Sequence, residues 1–356
     1  MDGEYDAYLW TCVGFWVFDR FLRLARLVVL NYRVILPGKN DPLKRSLATA
    51  TYDAEGDIIR LTVRPSANFL VGAGIHYYIY TPTASFFRLW ENHPFTLATW
   101  KQTPKNIEAH AQESSLNKDD SSSNPDTKSI SIDDADLHPT QQELMFLIRP
   151  YKGMTNTLKK QLLKAPNYTK DIRVLIEGPY GVPADLRQYE RVLMISGGSG
   201  VTGILAYLYE FEKHAKEGKS DGRKLRFAWA AREPRFVADV IEKDLGQFVG
   251  RSDTTLDFFM SQGEDKAGVV EQALSRASKG SALEKSKTVS ISYSRPDIAT
   301  LLEEEISELV AETSRLAVVV CGPGRLADDV RREVVRSIGS KIDASRIELY
   351  EESFGW

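Results

Sequence analysis

The stretch Ile195-Ser-Gly-Gly-Ser-Gly-Val-Thr202 follows a short apolar run at residues 191–195 and leads into an apolar, helix-forming run at residues 203–211. A strand that ends in a glycine turn and continues into a helix lets the backbone approach a ligand closely. The first helical turn adds unpaired N–H groups and the positive end of the helix dipole, which suit a diphosphate. An ordinary tight turn has the same composition, so the neighbouring motifs decide between the two interpretations.

Three further glycine motifs follow strand-like apolar runs. They are Gly178-Pro-Tyr-Gly181, Cys321-Gly-Pro-Gly324 and Lys152-Gly-Met-Thr155, the last of which places a glycine and a hydroxyl at a predicted helix start. Upstream, His93-Pro-Phe-Thr96 closes a strand region, where the Thr96 hydroxyl could hydrogen-bond a flavin ring edge. A turn with a core Phe is the alternative for this motif. Two diphosphate cradles on separate domains are what a flavin and a nicotinamide dinucleotide together require.

Two arginines bear on the choice of dinucleotide. Arg232 ends the segment Trp229-Ala-Ala-Arg232, at the edge of the predicted parallel sheet where the adenosine ribose lies. An arginine there accommodates a 2′-phosphate, so the sequence favours NADPH over NADH, although Glu233 weakens the argument. Arg295 is a candidate second clamp. A solvated arginine is the alternative for either residue.

Two residues near the C-terminus are candidates for contact with the reacting rings. Cys321 ends the apolar run at 316–320, and strand C-termini form the ligand crevice of an open parallel sheet. Cys321 is therefore placed to touch the nicotinamide ring, or it is a small buried thiol of the core. Phe354, near the end of the chain, could stack on a flavin ring or belong to a loose terminus.

Length and composition indicate an ordinary globular protein with room for two domains. The chain has 356 residues, of which 42% are apolar and 27% charged, and its net charge of −3 favours no nucleic-acid partner. Cys12 and Cys321 offer neither a disulfide framework nor metal-ligand spacing, which suits a reducing compartment. The five histidines never pair at helical spacing, so no zinc or haem site is expected within this chain.

The rhythm of the sequence changes at about residue 183. Segments 44–52, 58–64 and 75–80 are short, β-branched or aromatic and separated by turn residues, which predicts an antiparallel barrel over 34–182. Apolar strands alternate afterwards with helical stretches, among them residues 298–311, which predicts an α/β domain with a parallel sheet over 183–356. The polar segment 103–140 is interpreted as a disordered insert, and the polar segment 261–287 as a loose excursion.

Residues 1–33 form a separate N-terminal segment. The apolar run at residues 8–18 is shorter than the roughly 20 residues that cross a bilayer. Arg20, Arg23 and Arg26 recur every third residue and share one face of a helix. Either this helix is amphipathic and packs on a domain or a membrane surface, or it is the cytoplasmic end of a membrane helix whose upper part is absent.

In this order, the motifs resemble those of the ferredoxin–NADP reductase superfamily, and more specifically the cytosolic half of fungal ferric-chelate reductases, relatives of the NADPH oxidases. The segment Trp16-Val-Phe-Asp-Arg-Phe-Leu-Arg23 is similar to that family's junction between membrane and flavin domains. By this resemblance, FAD is expected to contact His93, Pro94, Phe95, Thr96, Gly153 and Thr155. NADPH is expected to contact Gly178, Gly181, Gly197, Gly198, Gly200, Thr202, Arg232, Arg295, Cys321, Gly322 and Gly324. Thr96, Cys321 and Phe354 are the residues expected at the reacting rings.

The resemblance implies an NADPH-dependent flavin oxidoreductase of the ferric-reductase type, which passes hydride from NADPH to FAD and then single electrons toward haem and ferric iron for iron uptake. It also implies association with the cytosolic face of the plasma membrane through the N-terminal helix. The family's haem b lies in a membrane bundle with paired histidines, which we do not find in this sequence. We therefore expect a truncated reductase or a soluble flavoprotein with another acceptor. An NADPH oxidase-like superoxide producer and a non-catalytic dinucleotide-binding remnant are the alternatives.

Overall fold

Antiparallel strands build the first half of the fold. The computed structural model describes residues 2–34, 43–81, 91–104, 140–217, 222–261, 267–278, 288–311 and 314–352. A five-stranded sheet has the order β7-β8-β4-β3-β9, and a three-stranded sheet has the order β10-β5-β6. The strands of this half are β1 (Tyr32–Val34), β2 (Leu43–Arg45), β3 (Leu47–Asp53), β4 (Ile58–Arg64), β5 (His76–Tyr80), β6 (Asn92–Thr96), β7 (Thr99–Pro104), β8 (Thr140–Ile148), β9 (Thr169–Arg173) and β10 (Leu175–Tyr180).

Alternating burial explains why these strands pair as they do. Along β3, Ala48, Ala50 and Tyr52 are buried, whereas the residues between them are half-buried. A period of two places one face of a strand in the core and leaves the other toward solvent. The antiparallel sheets predicted for residues 34–182 are therefore present, and a short helix, α2 (Met154–Leu162), packs on β3.

A six-stranded parallel sheet builds the second half, with the order β14-β13-β12-β11-β15-β16. Strands β11 (Arg191–Gly197) and β15 (Leu316–Cys321) are mostly apolar and buried along their whole length, as expected where helices cover both faces. The strands are β11 (Arg191–Gly197), β12 (Lys224–Ala231), β13 (Thr254–Met260), β14 (Val289–Ser292), β15 (Leu316–Cys321) and β16 (Ile347–Glu352). The helices are α3 (Val201–Lys216), α4 (Pro234–Val240), α5 (Ala267–Ala277), α6 (Ile298–Ala311) and α7 (Gly324–Ser337). A π-helical turn, Ile241–Leu245, continues α4.

The N-terminal segment forms one helix, α1 (Asp2–Asn31), whose last turns dock on β10. Arg23 is ion-paired with Glu177, and Arg26 donates a 3.0 Å hydrogen bond to the carbonyl of Gly178. Asn31 bonds both backbone groups of Ile176 at 2.8 Å. Farther toward the N-terminus, α1 exposes large apolar side chains. No helix in the described ranges is both long and apolar enough to span a bilayer.

Two sequence-based expectations about local structure need correction. The segment 261–287 is not wholly a loose excursion, because α5 lies within it and buries Val270, Ala273 and Leu274 in the core. The insert predicted at 103–140 is narrower, since residues 103, 104 and 140 belong to strands β7 and β8. Its remaining part, 105–139, lies outside the described residues.

Candidate cofactor-binding site

Two glycine turns, one after β11 and one after β15, meet where the order of successive strands in the parallel sheet reverses. From β11 the strands proceed to β12, β13 and β14 on one side, whereas β15 pairs with β11 on the other. Such a switch point opens a crevice at the carboxyl ends of the strands. A Cβ on Gly197 would lie 2.6 Å from Cδ of Pro323, and one on Gly322 would lie 2.9 Å from the backbone nitrogen of Gly197. Only residues without side chains allow this approach.

The turn between β11 and α3 presents backbone N–H groups at the start of the helix. It is a 3-10 turn, Gly198–Gly200, that leads directly into α3, and the N–H of Val201 already bonds the carbonyl of Gly198 within it. Gly200 is the N-terminal cap residue of α3, and no side chain caps the helix. Gly200 packs on the backbone carbonyl of Cys321. The buried hydroxyl of Ser196, just before the turn, has no hydrogen-bond partner in the described part of the chain. Uncapped N–H groups beside an orphaned hydroxyl fit the phosphates of a dinucleotide.

The two candidate ribose-phosphate arginines lie at the same edge of the sheet. Arg232 directly follows β12 and Arg295 follows β14, and both side chains are exposed. Two strand spacings, roughly 10 Å, separate β12 from β14. Both arginines lie on the same side of β11 as Trp229, which belongs to β12. The Nε1 of Trp229 donates a 3.0 Å hydrogen bond to the carbonyl of Gly198.

The motif His93-Pro-Phe-Thr96 is itself a strand, β6, at the edge of its sheet. Pro94 is tolerated there because an edge strand has one row of backbone groups without a partner strand. Alternation puts His93 and Phe95 on one face of β6 and Pro94 and Thr96 on the other. The four side chains therefore lie on two faces of the strand, and their contacts with FAD stay a prediction.

The loop Lys152-Gly-Met-Thr155 lies beside the start of β6. Gly153 caps α2 with a φ of 68°, a conformation that favours glycine, and no side chain caps this helix. A Cβ on Gly153 would lie 3.0 Å from Oε1 of Glu91, which is 3.2 Å from Nε2 of His93. The Thr155 hydroxyl accepts a 3.1 Å hydrogen bond from the backbone of Tyr151 and so closes the loop. The structure thus brings the two predicted flavin motifs together.

A chain of contacts joins the flavin motifs to the parallel sheet. Thr96 pairs with His76 across β5 and β6, and the His76 ring stacks on Tyr180 with centroids 5.8 Å apart. Next to Tyr180, Gly181 packs on the carbonyl of Gly74. A Cβ on Gly74 would in turn lie 2.8 Å from Oε1 of Glu352, at the end of β16.

Glu352 and Cys321 belong to the parallel sheet and lie at the junction where this chain of contacts reaches it. They are register partners on β16 and β15, and Tyr207 of α3 donates a 2.5 Å hydrogen bond to Glu352. Burial raises the pKa of Glu352, while the hydrogen bond from Tyr207 opposes that rise. Burial and the nearby Glu352 raise the pKa of Cys321 to about 12. The Cys321 side chain is fully buried, so at neutral pH it is a thiol without solvent access.

The remaining sequence-predicted residues are placed as follows. Gly178 lies in β10 against the Tyr77 ring, Thr202 is buried in the first turn of α3, and Gly324 begins α7. Phe354 lies outside the described residues. A separate cavity of about 480 Å³ between Trp100, Arg187 and His214 is lined by none of the predicted site residues.

Several residues at the junction escaped sequence reasoning. Glu91, His76 and Glu352 belong to no glycine motif, and a lone carboxylate or imidazole carries little signal by itself. The sequence offered one signal for Glu352, because this residue ends a half-apolar run and lies directly before the terminal Ser-Phe-Gly-Trp segment. Trp229 lies in the segment Trp229-Ala-Ala-Arg232, but its hydrogen bond to the carbonyl of Gly198 depends on the pairing of β11 with β12 and cannot be seen in the sequence.

Comparisons with known proteins agree with this division. Residues 43–127 and 130–184 match the family model of an FAD-binding domain, and residues 189–335 match that of a ferric reductase NAD binding domain. A probable ferric reductase transmembrane component of Candida albicans is 22% identical over 99% of this chain and 45% of its own length. Ferric reductase transmembrane component 5 of Saccharomyces cerevisiae is 24% identical over 99% of this chain and 42% of its own. The chain thus spans less than half the length of these relatives.

Among solved structures, the Amycolatopsis cytochrome P450 reductase GcoB is 13% identical, with a TM-score of 0.46 over 86% of this chain and 70% of that one. An antiparallel FAD-binding lobe followed by a parallel dinucleotide-binding lobe defines a ferredoxin reductase-like flavoprotein architecture. The chain thus carries an FAD-binding domain followed by a ferric reductase NAD binding domain, and it is similar to ferric reductase components along nearly its whole length.

Proposed function

We propose that this chain binds FAD and NADPH and passes reducing equivalents from NADPH to a one-electron acceptor, as a ferric-reductase-type oxidoreductase. The observation that carries the proposal is the contact chain from Thr96 through Gly181 and Gly74 to Glu352. Two uncapped, glycine-lined helix starts flank it, one in each lobe. When bound, the cofactors supply hydride exchange and single-electron release, while the protein supplies binding and orientation.

In the parallel lobe, the N–H groups of the turn that begins α3 would hold the dinucleotide diphosphate, and Gly197 and Gly322 let this turn and the one after β15 approach each other beside it. Arg232 would pair with the 2′-phosphate, which favours NADPH over NADH. Its exposed guanidinium makes no hydrogen bond or ion pair to another described residue, so nothing in those ranges competes for it. Arg295 would serve as a second cationic contact from the end of β14.

In the antiparallel lobe, the N–H groups at the start of α2 would hold the FAD diphosphate next to β6. His93 and Phe95 would line one side of the site and Thr96 the other, with the Thr96 hydroxyl bonding the ring edge. Phe354 would cover the outer face of the flavin. Cys321, as a buried neutral thiol, would form part of the wall behind the nicotinamide and would not act as a nucleophile.

The acceptor is a haem domain or a ferric chelate, and α1 would provide the contact with the membrane at its cytosolic face. The exposed apolar side chains of α1, among them Trp10, Phe15 and Phe18, support this role, because a surface helix of a soluble domain seldom exposes so many. The three arginines of α1 begin after this apolar stretch, consistent with a cytosolic position for the lobes.

The test is spectroscopic. The purified chain should bind FAD, show flavin absorbance, and lose that absorbance anaerobically on addition of NADPH faster than with NADH. It should then reduce ferricyanide or a ferric chelate. A protein that remains colourless and inactive at saturating FAD contradicts the enzyme proposal and supports a non-catalytic remnant. Oxygen-dependent, superoxide dismutase-sensitive dye reduction exceeding the ferric activity would favour the oxidase alternative.

A further inference from the structure

The two lobes are joined by a network of charged side chains, which we call the interlobe bridge: Asp53, Arg60, Asp239, Lys243 and Asp244. Arg60 of β4 holds Asp244 with both arms of its guanidinium, at 3.1 Å and 2.8 Å, and reaches Asp239 at 2.7 Å. Its side chain is 15% exposed, and each of these two aspartates is 6% exposed. A forked arginine–carboxylate contact fixes orientation as well as distance.

A second arm of the bridge runs through Lys243. Its Nζ contacts Asp239 in its own lobe and lies 2.9 Å from Oδ2 of Asp53 in the other. Burial acts to raise the pKa of Asp53, but hydrogen bonds from Lys243 and the Gly56 backbone outweigh it and hold the pKa well below the usual range. Gly56, in the same turn, packs directly on α4. The turn after β3 is therefore seated on the second lobe.

The bridge is connected to the dinucleotide cradle. Helix α4 begins at Pro234, two residues after Arg232. Phe236 of α4 packs edge-on against Trp229 with ring centroids 5.1 Å apart, and Trp229 holds the carbonyl of Gly198. A shift of α4 would therefore move both the candidate 2′-phosphate arginine and the glycine turn.

The bridge is also connected to the flavin cradle. Asp57, in the turn that follows Asp53, accepts a 2.7 Å hydrogen bond from Lys159 of α2, the helix that begins at the Gly153 loop. Arg149, three residues before Lys152, lies over the Phe236 ring at 5.7 Å. The same turn and the same helix α4 thus contact elements next to both cradles.

We propose that the interlobe bridge sets the spacing between the two cofactor cradles and that Arg60 is its central positioning residue. This inference rests on the proposed function, since it concerns the approach of the nicotinamide to the flavin. Hydride transfer requires reacting atoms about 3–3.5 Å apart, and a misplacement of 1 Å costs roughly 10²-fold in rate. Buried ion pairs contribute little net stability compared with apolar packing, so the geometry they impose is the better account of their presence.

The experiment compares Arg60→Met with Arg64→Met, a matched control on the same strand whose partner, Glu143, lies within the same lobe. Arg60→Lys keeps the charge but loses the fork, and Lys243→Met removes the second arm if Arg60→Met does not fold. FAD affinity is measured by flavin fluorescence, flavin reduction at saturating NADPH by stopped flow, and unfolding of the cofactor-free protein by calorimetry.

We expect Arg60→Met to bind FAD within about two-fold of the control but to reduce it at least ten-fold more slowly, with partial rescue in Arg60→Lys and a loss of roughly three-fold in Lys243→Met. Without cofactors, the lobes of Arg60→Met should unfold in two transitions and those of the control in one. Control-like reduction together with a single transition would overturn the proposal. If even the unmutated protein is not reduced by NADPH, the proposed function fails, and the calorimetry alone decides whether the bridge couples the lobes.

Discussion

The hydroxyl of Tyr207 donates a 2.5 Å hydrogen bond to Oε1 of Glu352, joining the second turn of α3 to the last residue of β16. Both residues contact the buried Gly74 of the antiparallel lobe. A carboxylate of one lobe therefore lies at the junction with the other, next to Cys321. This pair has a measurable consequence for stability.

Glu352→Gln should change how stability depends on pH. Burial raises the folded-state pKa of Glu352 above its ordinary value of 4.5, so above that pH the folded state binds more protons than the unfolded state. Ionisation then destabilises the fold as pH rises, and the loss levels off once the folded-state pKa is passed. Glutamine still accepts the Tyr207 bond but cannot ionise. Urea denaturation across pH 4–8 should show the wild type losing stability relative to the variant; a pH-independent difference would contradict this.

Gly200→Ala should weaken dinucleotide binding and spare FAD binding. Its Cβ would overlap the backbone carbonyl of Cys321, so the turn between β11 and α3 must move away from β15. We expect NADP⁺ affinity, measured by calorimetry, to fall by about ten-fold or more, because the N–H groups of the turn leave their positions. Gly268→Ala is the control, since a Cβ there meets open space. Equal NADP⁺ affinities in the two variants would show that Gly200 is not part of the dinucleotide-binding site.

Arg232→Ala should narrow the preference for NADPH over NADH. Loss of one charge-assisted contact to the 2′-phosphate costs about 1.5–3 kcal/mol, or roughly 10–100-fold in kcat/KM for NADPH alone. Arg332→Ala removes an exposed arginine of α7 that is already paired with Asp329, and it should leave the ratio unchanged. An unaltered NADPH/NADH ratio in Arg232→Ala would refute its proposed contact.

The two cysteines should differ sharply toward a thiol reagent. Cys12 is exposed on α1, whereas Cys321 is buried with a pKa raised to about 12 by that burial. Thiolate is the reactive form, so at pH 8 the native protein should consume one equivalent of an aromatic disulfide reagent, and the unfolded protein two. Cys12→Ser should consume none before unfolding. Rapid reaction of Cys321 in that variant would mean that the junction opens readily.

Asn31→Ala should destabilise the antiparallel lobe. The Asn31 side chain, 1% exposed, bonds the carbonyl and the N–H of Ile176 at 2.8 Å each. Its removal leaves both buried backbone groups without these hydrogen bonds. We expect a loss of about 2–4 kcal/mol in the free energy of unfolding. Asn156→Ala, at a half-buried site on α2, should cost far less. Similar denaturation midpoints for the two variants would show that water replaces these bonds.

The fold could be predicted where burial is uniform or strictly periodic. The all-apolar run ending at Val320 is a strand, and the helix predicted at residues 298–311 has those bounds in the structure. The strand Ile347–Glu352 was missed because it lies at the edge of the sheet, where its burial is irregular, and because it carries three glutamates. Helix α5 was missed because polar residues fill its outer face and hide the spacing of Val270, Ala273 and Leu274.

The residues of the candidate site that the sequence predicts all belong to local motifs: the glycine turns and, beside them, Thr96, Cys321 and Arg232. A glycine turn is a local signal, whereas Tyr207 and Glu352 are 145 residues apart and Arg60 and Asp244 are 184 apart. The first pair becomes neighbours only through the folding of the parallel lobe, and the second only through the packing of one lobe on the other; no periodicity within the segments encodes either contact. Sequence reasoning therefore names the motifs of both candidate cradles but not the contacts that relate them.

Asn31 also has a consequence for assembly. Strand β10 lies at the edge of its sheet, and the outward N–H and carbonyl of Ile176 are the groups that an added strand from another molecule would seek. One side-chain amide at the end of α1 already occupies them. A protein without this helix would expose an unpaired strand edge to other copies of itself. Removing α1 should therefore promote self-association as well as unfolding.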